Sequence, residues 1–537
     1  MEIWFIIVIT LCIAALIKTL LNLIHPSPPT SNHKNKNLPP GPTTIPLISG
    51  ILLVRKSFAE LESALRSYSA KHGPIFNLRL GSRLNIFIAS PNLAHQALVQ
   101  NGAVFADRPT PTPTMKIIGS NQHNINSAGY GPTWRLLRRN LTSEILSPAR
   151  VRTYSAARRW VLGILFDRLV GDSEAAAGGV RLVDHLQYAM FCLLALMCFG
   201  DKLDEEQIRA VGRVQRQLLV NNRRFSALDF WPRLGKIVFR KRWQEFVQLR
   251  KSQADVLIPL IRSRVEVVKQ RKDGKGERGK ESVVAYVDTL VDLELPDEKR
   301  KLNEQEMVAL CNEFLNAGTD TTSTALQWIM ANLVKYPHIQ TKLFEELHGT
   351  MGPPPLLGEK DENMVMIKEG DLQKMLYLKS VVLEGLRRHP PGHFVLPHTV
   401  TKDLEFEGYL VPKGAMINFM VAEIGLNPKM WDEPMEFKPE RFFTNTTDGG
   451  CGAPDLFDVT GNKEIKMMPF GAGRRICPAV GLAMLHLEFF VANLVWYFEW
   501  KTVEGDTVDL SEKQELTTVM KYPLRAHISL RGLSQNK

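Results

Sequence analysis

The run Pro469-Phe470-Gly471-Ala472-Gly473-Arg474-Arg475-Ile476-Cys477-Pro478-Ala479 constrains this chain more than any other stretch. It is a glycine-loosened loop that delivers one cysteine to the start of an apolar segment of helical character. A cysteine at a helix N-terminus meets unpaired backbone N–H groups and, here, the cations Arg474 and Arg475, all of which favour the thiolate. Gly471 and Gly473 let the backbone come close to something flat, Phe470 is placed to shield the sulfur, and Arg475 to reach an anionic group of the same ligand. Thiolate, cation and clearance together suit haem. An inert buried thiol is the bland alternative for an isolated cysteine, and these neighbours weigh against it.

The spacing of Phe470, Gly473, Arg475 and Cys477 resembles the haem-binding loop of the cytochrome P450 superfamily, F-x-x-G-x-R-x-C-x-G, with Ala479 as the one departure. A second element lies in the helix expected over Asn303 to Lys335, where Met307, Leu310, Phe314, Ala317 and Thr321 recur at intervals of three and four and so share one face. Such a stripe is ordinarily core packing, but Gly318 lowers helix propensity and is expected to let the backbone ladder open beside Asp320 and Thr321. The run Ala317-Gly318-Thr319-Asp320-Thr321-Thr322 resembles the family's oxygen-activation motif, A/G-G-x-D/E-T-T/S. The resemblance implies that Thr321 hydrogen-bonds at the oxygen site while Asp320 relays protons inward from solvent.

Glu384-Gly385-Leu386-Arg387 is an E-x-x-R whose spacing puts two charges on adjoining turns of a helix. Alone it is weak, since Glu206 and Arg209 form the same pattern by chance. Pro439-Glu440-Arg441-Phe442 strengthens it, because it resembles the family segment whose arginine completes a bracing network with Glu384 and Arg387. Trp134 and Arg138, four apart, resemble the W-x-x-x-R pattern that holds haem propionates, and Arg475 and His398 join them as candidates by the same resemblance.

The expected architecture is mainly α with a small β region (α+β), a cytochrome P450 fold preceded by one N-terminal transmembrane helix. Residues 1–24 read as that membrane anchor, 25–45 as a proline-rich linker and 46–537 as the monooxygenase domain. Ile3 to Ile17 is apolar apart from Thr10, and Leu20, Leu21, Leu23 and Ile24 extend the span far enough to cross a bilayer. Glu2 in place of a basic start argues against a cleaved signal, and His33, Lys34 and Lys36 after the span put the catalytic part on the cytosolic side, with the endoplasmic reticulum the expected membrane. Helices are expected over Glu60 to His72, Pro91 to Asn101, Val151 to Val170, Val180 to Phe199, Glu205 to Val220, Lys241 to Lys272, Asp371 to Arg388 and Val480 to Val495. A hairpin is expected at Ile75 to Leu80 and Leu84 to Ala89, with short strands at Leu404 to Val411 and Met416 to Ala422.

Six scattered cysteines without a C-x-x-C pair indicate neither a disulfide framework nor a zinc cluster. The net charge of +11 is dispersed and lacks an aromatic platform, so nucleic acid is not an expected partner. Residues such as Arg223, Arg224 and Arg240 suit lipid headgroups or solvent instead, and other basic residues an acidic electron-donor protein. The resemblance implies haem b, electrons from NADPH through a separate NADPH–cytochrome P450 reductase, and insertion of one atom of O2 into a hydrophobic small molecule. The plant microsomal type is the closest in motif. A haem-thiolate isomerase working without O2 is the rival, and the intact Gly318, Asp320 and Thr321 set argues against it.

Overall fold

The computed structural model describes residues 37–42, 58–80, 83–175, 178–225, 228, 235–273, 283–355, 365–445, 451–452 and 457–532, with 4, 7, 8 and 10–16 before them. The longer helices among these are, in chain order, α1 (Phe58–His72), α2 (Pro132–Glu144), α3 (Ser155–Ala175), α4 (Leu182–Phe199) and α5 (Glu205–Phe225). They continue with α6 (Arg240–Lys272), α7 (Glu304–Lys335), α8 (Pro337–Met351), α9 (Leu376–Arg388) and α10 (Val480–Tyr497). The chain forms two compact units, Met1–Asp107 with Leu396–Met420, and Arg108–Val395 with Val421–Lys537.

In the smaller unit, Ile75–Leu80 and Arg83–Ile88 pair antiparallel from Ile75 opposite Ile88 to Leu80 opposite Arg83. Met416–Phe419 adds parallel to the second strand, and His398–Thr399 closes the four-stranded sheet. The expected single strand over 404–411 is instead a hairpin of Leu404–Phe406 and Tyr409–Val411. Its turn residues Glu407 (φ 53°) and Gly408 (φ 78°) are left-handed, a conformation no continuous strand can hold. The strand expected to run to Ala422 stops at Phe419, and Val421–Gly425 is helical.

The larger unit is built around α7. Asn303 caps it, accepting the Glu306 N–H at 3.0 Å while the Glu306 carboxylate accepts the Asn303 N–H at 2.8 Å, a reciprocal capping box. α4 packs along α7, and α4 and α10 are the two described helices apolar and long enough to cross a membrane. Both are largely buried in this unit, as an all-round apolar helix inside a large core should be. The helix expected over Val151 to Val170 is broken at Tyr154, whose hydroxyl donates to the Val284 carbonyl at 2.6 Å, and α3 starts after it. Val180–Arg181, expected as helix, is a strand that pairs with Arg525–Leu530, which also pairs with Phe498–Thr502. A further hairpin, Glu512–Gln514 with Thr518–Met520, docks on α7 where the Trp328 indole donates to the Thr518 carbonyl at 2.8 Å.

Near the N-terminus, residues 10–16 are helical and expose Leu11, Ile13 and Leu16. The rest of the expected anchor, apart from 4, 7 and 8, and the linker apart from 37–42 lie outside the described residues.

Candidate haem-thiolate site

The loop carrying Cys477 is closed by its own backbone. The Cys477 N–H donates to the Phe470 carbonyl at 2.8 Å, and the Ile476 N–H to that of Gly473 at 3.2 Å. Gly471 (φ 71°) and Gly473 (φ 68°) supply the left-handed corners that a residue with a Cβ adopts only under strain. Burial pushes the Cys477 thiol above its ordinary range, while the Ala479 backbone N–H and Arg138 pull it down. This corrects the expectation that Arg474 and Arg475 depress it. Arg474 donates to the Tyr130 hydroxyl at 2.5 Å, and Arg475 to the carbonyls of Ala128 at 2.6 Å and Ile125 at 3.2 Å. A bound metal cation is what would hold this half-buried sulfur as the thiolate.

Trp134 and Arg138 project from α2 beside this loop. Arg475 lies 4.4 Å from the centroid of the Trp134 ring and Arg138 lies 5.8 Å from it. The Trp134 Nε1–H is buried and has no acceptor among the described residues. An orphaned indole donor flanked by two guanidinium groups fits a haem carboxylate, and in that respect the residues present fit the cofactor. His398 belongs to the smaller unit, where its Nδ1 lies 2.7 Å from the Phe105 carbonyl.

On α7, Ala317 and Thr321 are exposed positions in a mostly buried helix, and the Thr321 hydroxyl donates to the Ala317 carbonyl at 2.6 Å. The helix runs unbroken through Gly318, so the expected opening of its ladder is not what this glycine provides. A Cβ there would come within 2.6 Å of Leu194 Cδ1, so Gly318 serves the close approach of α4 to α7. Burial pushes the Asp320 carboxyl up to about 6, against Arg216 and with Glu515, which themselves pair at 3.6 Å.

Sequence reasoning missed Glu313. It stands four residues before Ala317 and eight before Thr321, a helical spacing that puts it on their side of α7. Its carboxylate accepts the backbone N–H groups of Ile125 at 2.8 Å and Asn126 at 2.6 Å. Burial pushes it up to about 7, opposed by those two amides and by Arg108 and Arg475. The i, i+4 spacing from Ala317 was the available signal, hidden because a lone glutamate on a long helix usually faces solvent.

Glu384, Arg387 and Arg441 are brought together. Glu384 and Arg387 are fully enclosed, and Arg441 Nε donates to Glu384 Oε1 at 3.1 Å.

The Cytochrome P450 family model matches residues 39–529. Cytochrome P450 89A9 of Arabidopsis thaliana is 49% identical over 93% of this chain and 94% of its own length. Isoflavone 2'-hydroxylase of Glycyrrhiza echinata is 29% identical over 92% of each chain. A zebrafish cytochrome P450 solved with abiraterone superposes with a TM-score of 0.66 at 20% identity, over 90% of this chain and 99% of that one. With a family match that spans nearly its whole length and a relative 49% identical over 93% of it, the chain belongs to the cytochrome P450 family of haem-dependent monooxygenases.

Proposed function

We propose that the protein is a membrane-anchored monooxygenase of the endoplasmic reticulum that inserts one atom of O2 into a small hydrophobic substrate, with haem b held by Cys477. Its electrons would come from NADPH through a separate reductase. The observation that carries this reading is the half-buried Cys477 sulfur in the loop whose Arg475 lies over Trp134, an indole whose N–H finds no acceptor among the described residues. Haem, held by the Cys477 sulfur, would supply oxygen activation.

The chain's own residues then have distinct tasks. Trp134, Arg138 and Arg475 would bind the haem carboxylates, with His398 as the remaining candidate, and Phe470 and Gly473 shape the loop. Thr321 is poised to turn its hydroxyl from the Ala317 carbonyl toward an oxygen acceptor on the exposed side of α7. Asp320, with a carboxyl shifted to about 6, can take and release a proton near neutrality, and the Arg216–Glu515 pair beside it connects it toward solvent. Glu384, Arg387 and Arg441 brace the fold behind the cysteine loop. The exposed Leu11, Ile13 and Leu16 support an anchor in lipid.

The plant relatives suggest specialised metabolism as the setting. Expression in microsomes with a reductase, followed by a reduced carbon monoxide spectrum and NADPH-dependent product formation, tests the proposal. Product formed without NADPH or O2 would transfer the protein to the isomerase class.

A further inference from the structure

Helices α5, α6 and α7 enclose a polar cluster that the tasks above leave unused. Gln253 on α6 donates from Nε2 to Gln215 Oε1 on α5 at 3.0 Å and also to Asn312 Oδ1 on α7. Asn316, one turn along α7, donates to that same Asn312 oxygen at 2.9 Å. Arg250, one turn before Gln253, donates to Gln253 Oε1 and, at 3.4 Å, to the Gln305 carbonyl. Arg250 is 6% exposed and Gln215 3%, so both are shut off from bulk solvent.

This cluster is rich in donors and short of acceptors. The Gln215 Nε2 group is buried with no acceptor among the described residues, and Asn312 Oδ1 already takes two donors. Arg250 has no carboxylate partner among the described residues; its contacts are one amide oxygen and one backbone carbonyl. Exchanging N and O of the amides does not repair this, because each amide brings one oxygen and one NH2 while the guanidinium brings only donors.

The surroundings offer no relief. The Gln305 carbonyl sits in the first turn of α7, the end that carries partial positive charge. Its acidic neighbours are engaged elsewhere, Glu304 with Arg262 at 2.6 Å, and Glu306 with Arg300 at 2.7 Å and His123 at 2.6 Å. Burial lowers Arg250 to about 10, with no carboxylate acting to raise it. A buried cation with only neutral partners is costly and calls for an anion from outside the chain.

We propose that this cluster is the subsite for a carboxylate of the substrate, so that the enzyme acts on an elongated organic acid. The proposal deepens the monooxygenase reading and rests on it. The carboxylate accepts N–H groups of Arg250 and the orphaned Nε2–H of Gln215, and no bond breaks there. Asn312 precedes Thr321 by nine residues, about 13 Å along a helix axis and about half a turn around it, so an acid held here passes the edge of α7 to reach the side that carries Thr321. The oxidised carbon therefore lies toward the opposite end of the molecule from the acid.

The test uses full-length, haem-loaded protein at pH 7.5, with binding read both by the haem spin-state change and by thermal shift. The probes are dodecanoic, cinnamic and abietic acids, each against its own methyl ester, on wild type, Arg250→Met and Arg250→Lys. At least one acid is expected to bind wild type tenfold or more tightly than its ester. Arg250→Met should erase that preference while leaving ester affinity within about twofold, Arg250→Lys should keep part of it, and ligand-free Arg250→Met should melt no lower than wild type. Should Arg250→Met fail to take up haem, Gln215→Leu replaces it, with at least a threefold loss of acid affinity expected. Equal binding of every acid and its ester to wild type overturns the proposal, as does an acid preference that survives in Arg250→Met or Gln215→Leu. The carbon monoxide spectrum of wild type separates these outcomes from failure of the monooxygenase reading itself.

Discussion

Arg387 lays Nε and Nη2 on the two carboxylate oxygens of Glu384, at 2.7 and 2.8 Å, three residues earlier on α9, and neither side chain reaches solvent. The remaining Arg387 donor capacity goes to the carbonyls of Gly425 at 2.9 Å, Pro434 at 2.8 Å and Glu436 at 3.2 Å, so the pair ties α9 to the chain leading toward the cysteine loop. Arg441 Nε and the Lys438 backbone N–H, at 3.1 and 2.8 Å, add to Glu384 Oε1.

Removing one member of this network strands a buried charge. Glu384→Gln should lose about 3–5 kcal/mol; Arg387→Lys keeps the charge but loses the paired N–H donors, and both should give poorly soluble, haem-deficient protein. Haem content per polypeptide checks this, and wild-type content in both variants would refute the bracing role.

Cys477→Ser replaces the sulfur with a poorer ligand for iron and should abolish both the thiolate-type reduced carbon monoxide spectrum and turnover. A spectrum unchanged by the substitution would exclude Cys477 as the axial donor.

Thr321→Ala leaves the helix intact, because the hydroxyl bonds only its own turn at the Ala317 carbonyl. Haem and ligand binding should persist, while product per NADPH falls on the order of tenfold and hydrogen peroxide rises. Unchanged coupling between NADPH use and product would remove Thr321 from oxygen handling.

The Asp320 carboxyl titrates at about 6 in the fold against 3.8 ordinarily. Its folded value is raised, so the folded state binds the proton more tightly and this group's contribution to stability falls as pH rises through that interval. Asp320→Asn should therefore gain in melting temperature relative to wild type as pH goes from 4 to above 6. Its turnover should drop and show a larger solvent isotope effect. A melting difference that is flat with pH would show that the carboxyl is not desolvated.

Gly318→Ala sets helix propensity, a gain of about 1 kcal/mol, against overpacking of Leu194, a loss of about 1–3 kcal/mol. The net expectation is a small loss of stability that Leu194→Ala partly reverses in the double mutant. Denaturation of the four proteins in the cycle measures the coupling, and strict additivity would mean that α4 and α7 do not meet there.

The sequence made some elements legible because their signals are local. The bounds of α7 were legible nearly to the residue from its apolar stripe, and the structure adds the capping box of Asn303 and Glu306 that starts it. The cysteine loop and the Glu384, Arg387 and Arg441 constellation were legible as motifs. What stayed hidden depends on tertiary partners. Val180–Arg181 is a strand only because Arg525–Leu530 lies beside it. The role of Gly318 is set by Leu194 on another helix, and that of Glu313 by two backbone amides far away in sequence. The charge on Arg475 was legible, but its hold on two carbonyls was not, since nothing in a linear string says which backbone oxygens a guanidinium will find.

Residues 125–128 are gripped from two directions, by Glu313 through the N–H groups of Ile125 and Asn126 and by Arg475 through the carbonyls of Ile125 and Ala128. That short segment acts as a strut between the helix of Thr321 and the loop of Cys477. A guest molecule that displaces it must strain both anchorages at once, so its arrival on one side is felt mechanically on the other.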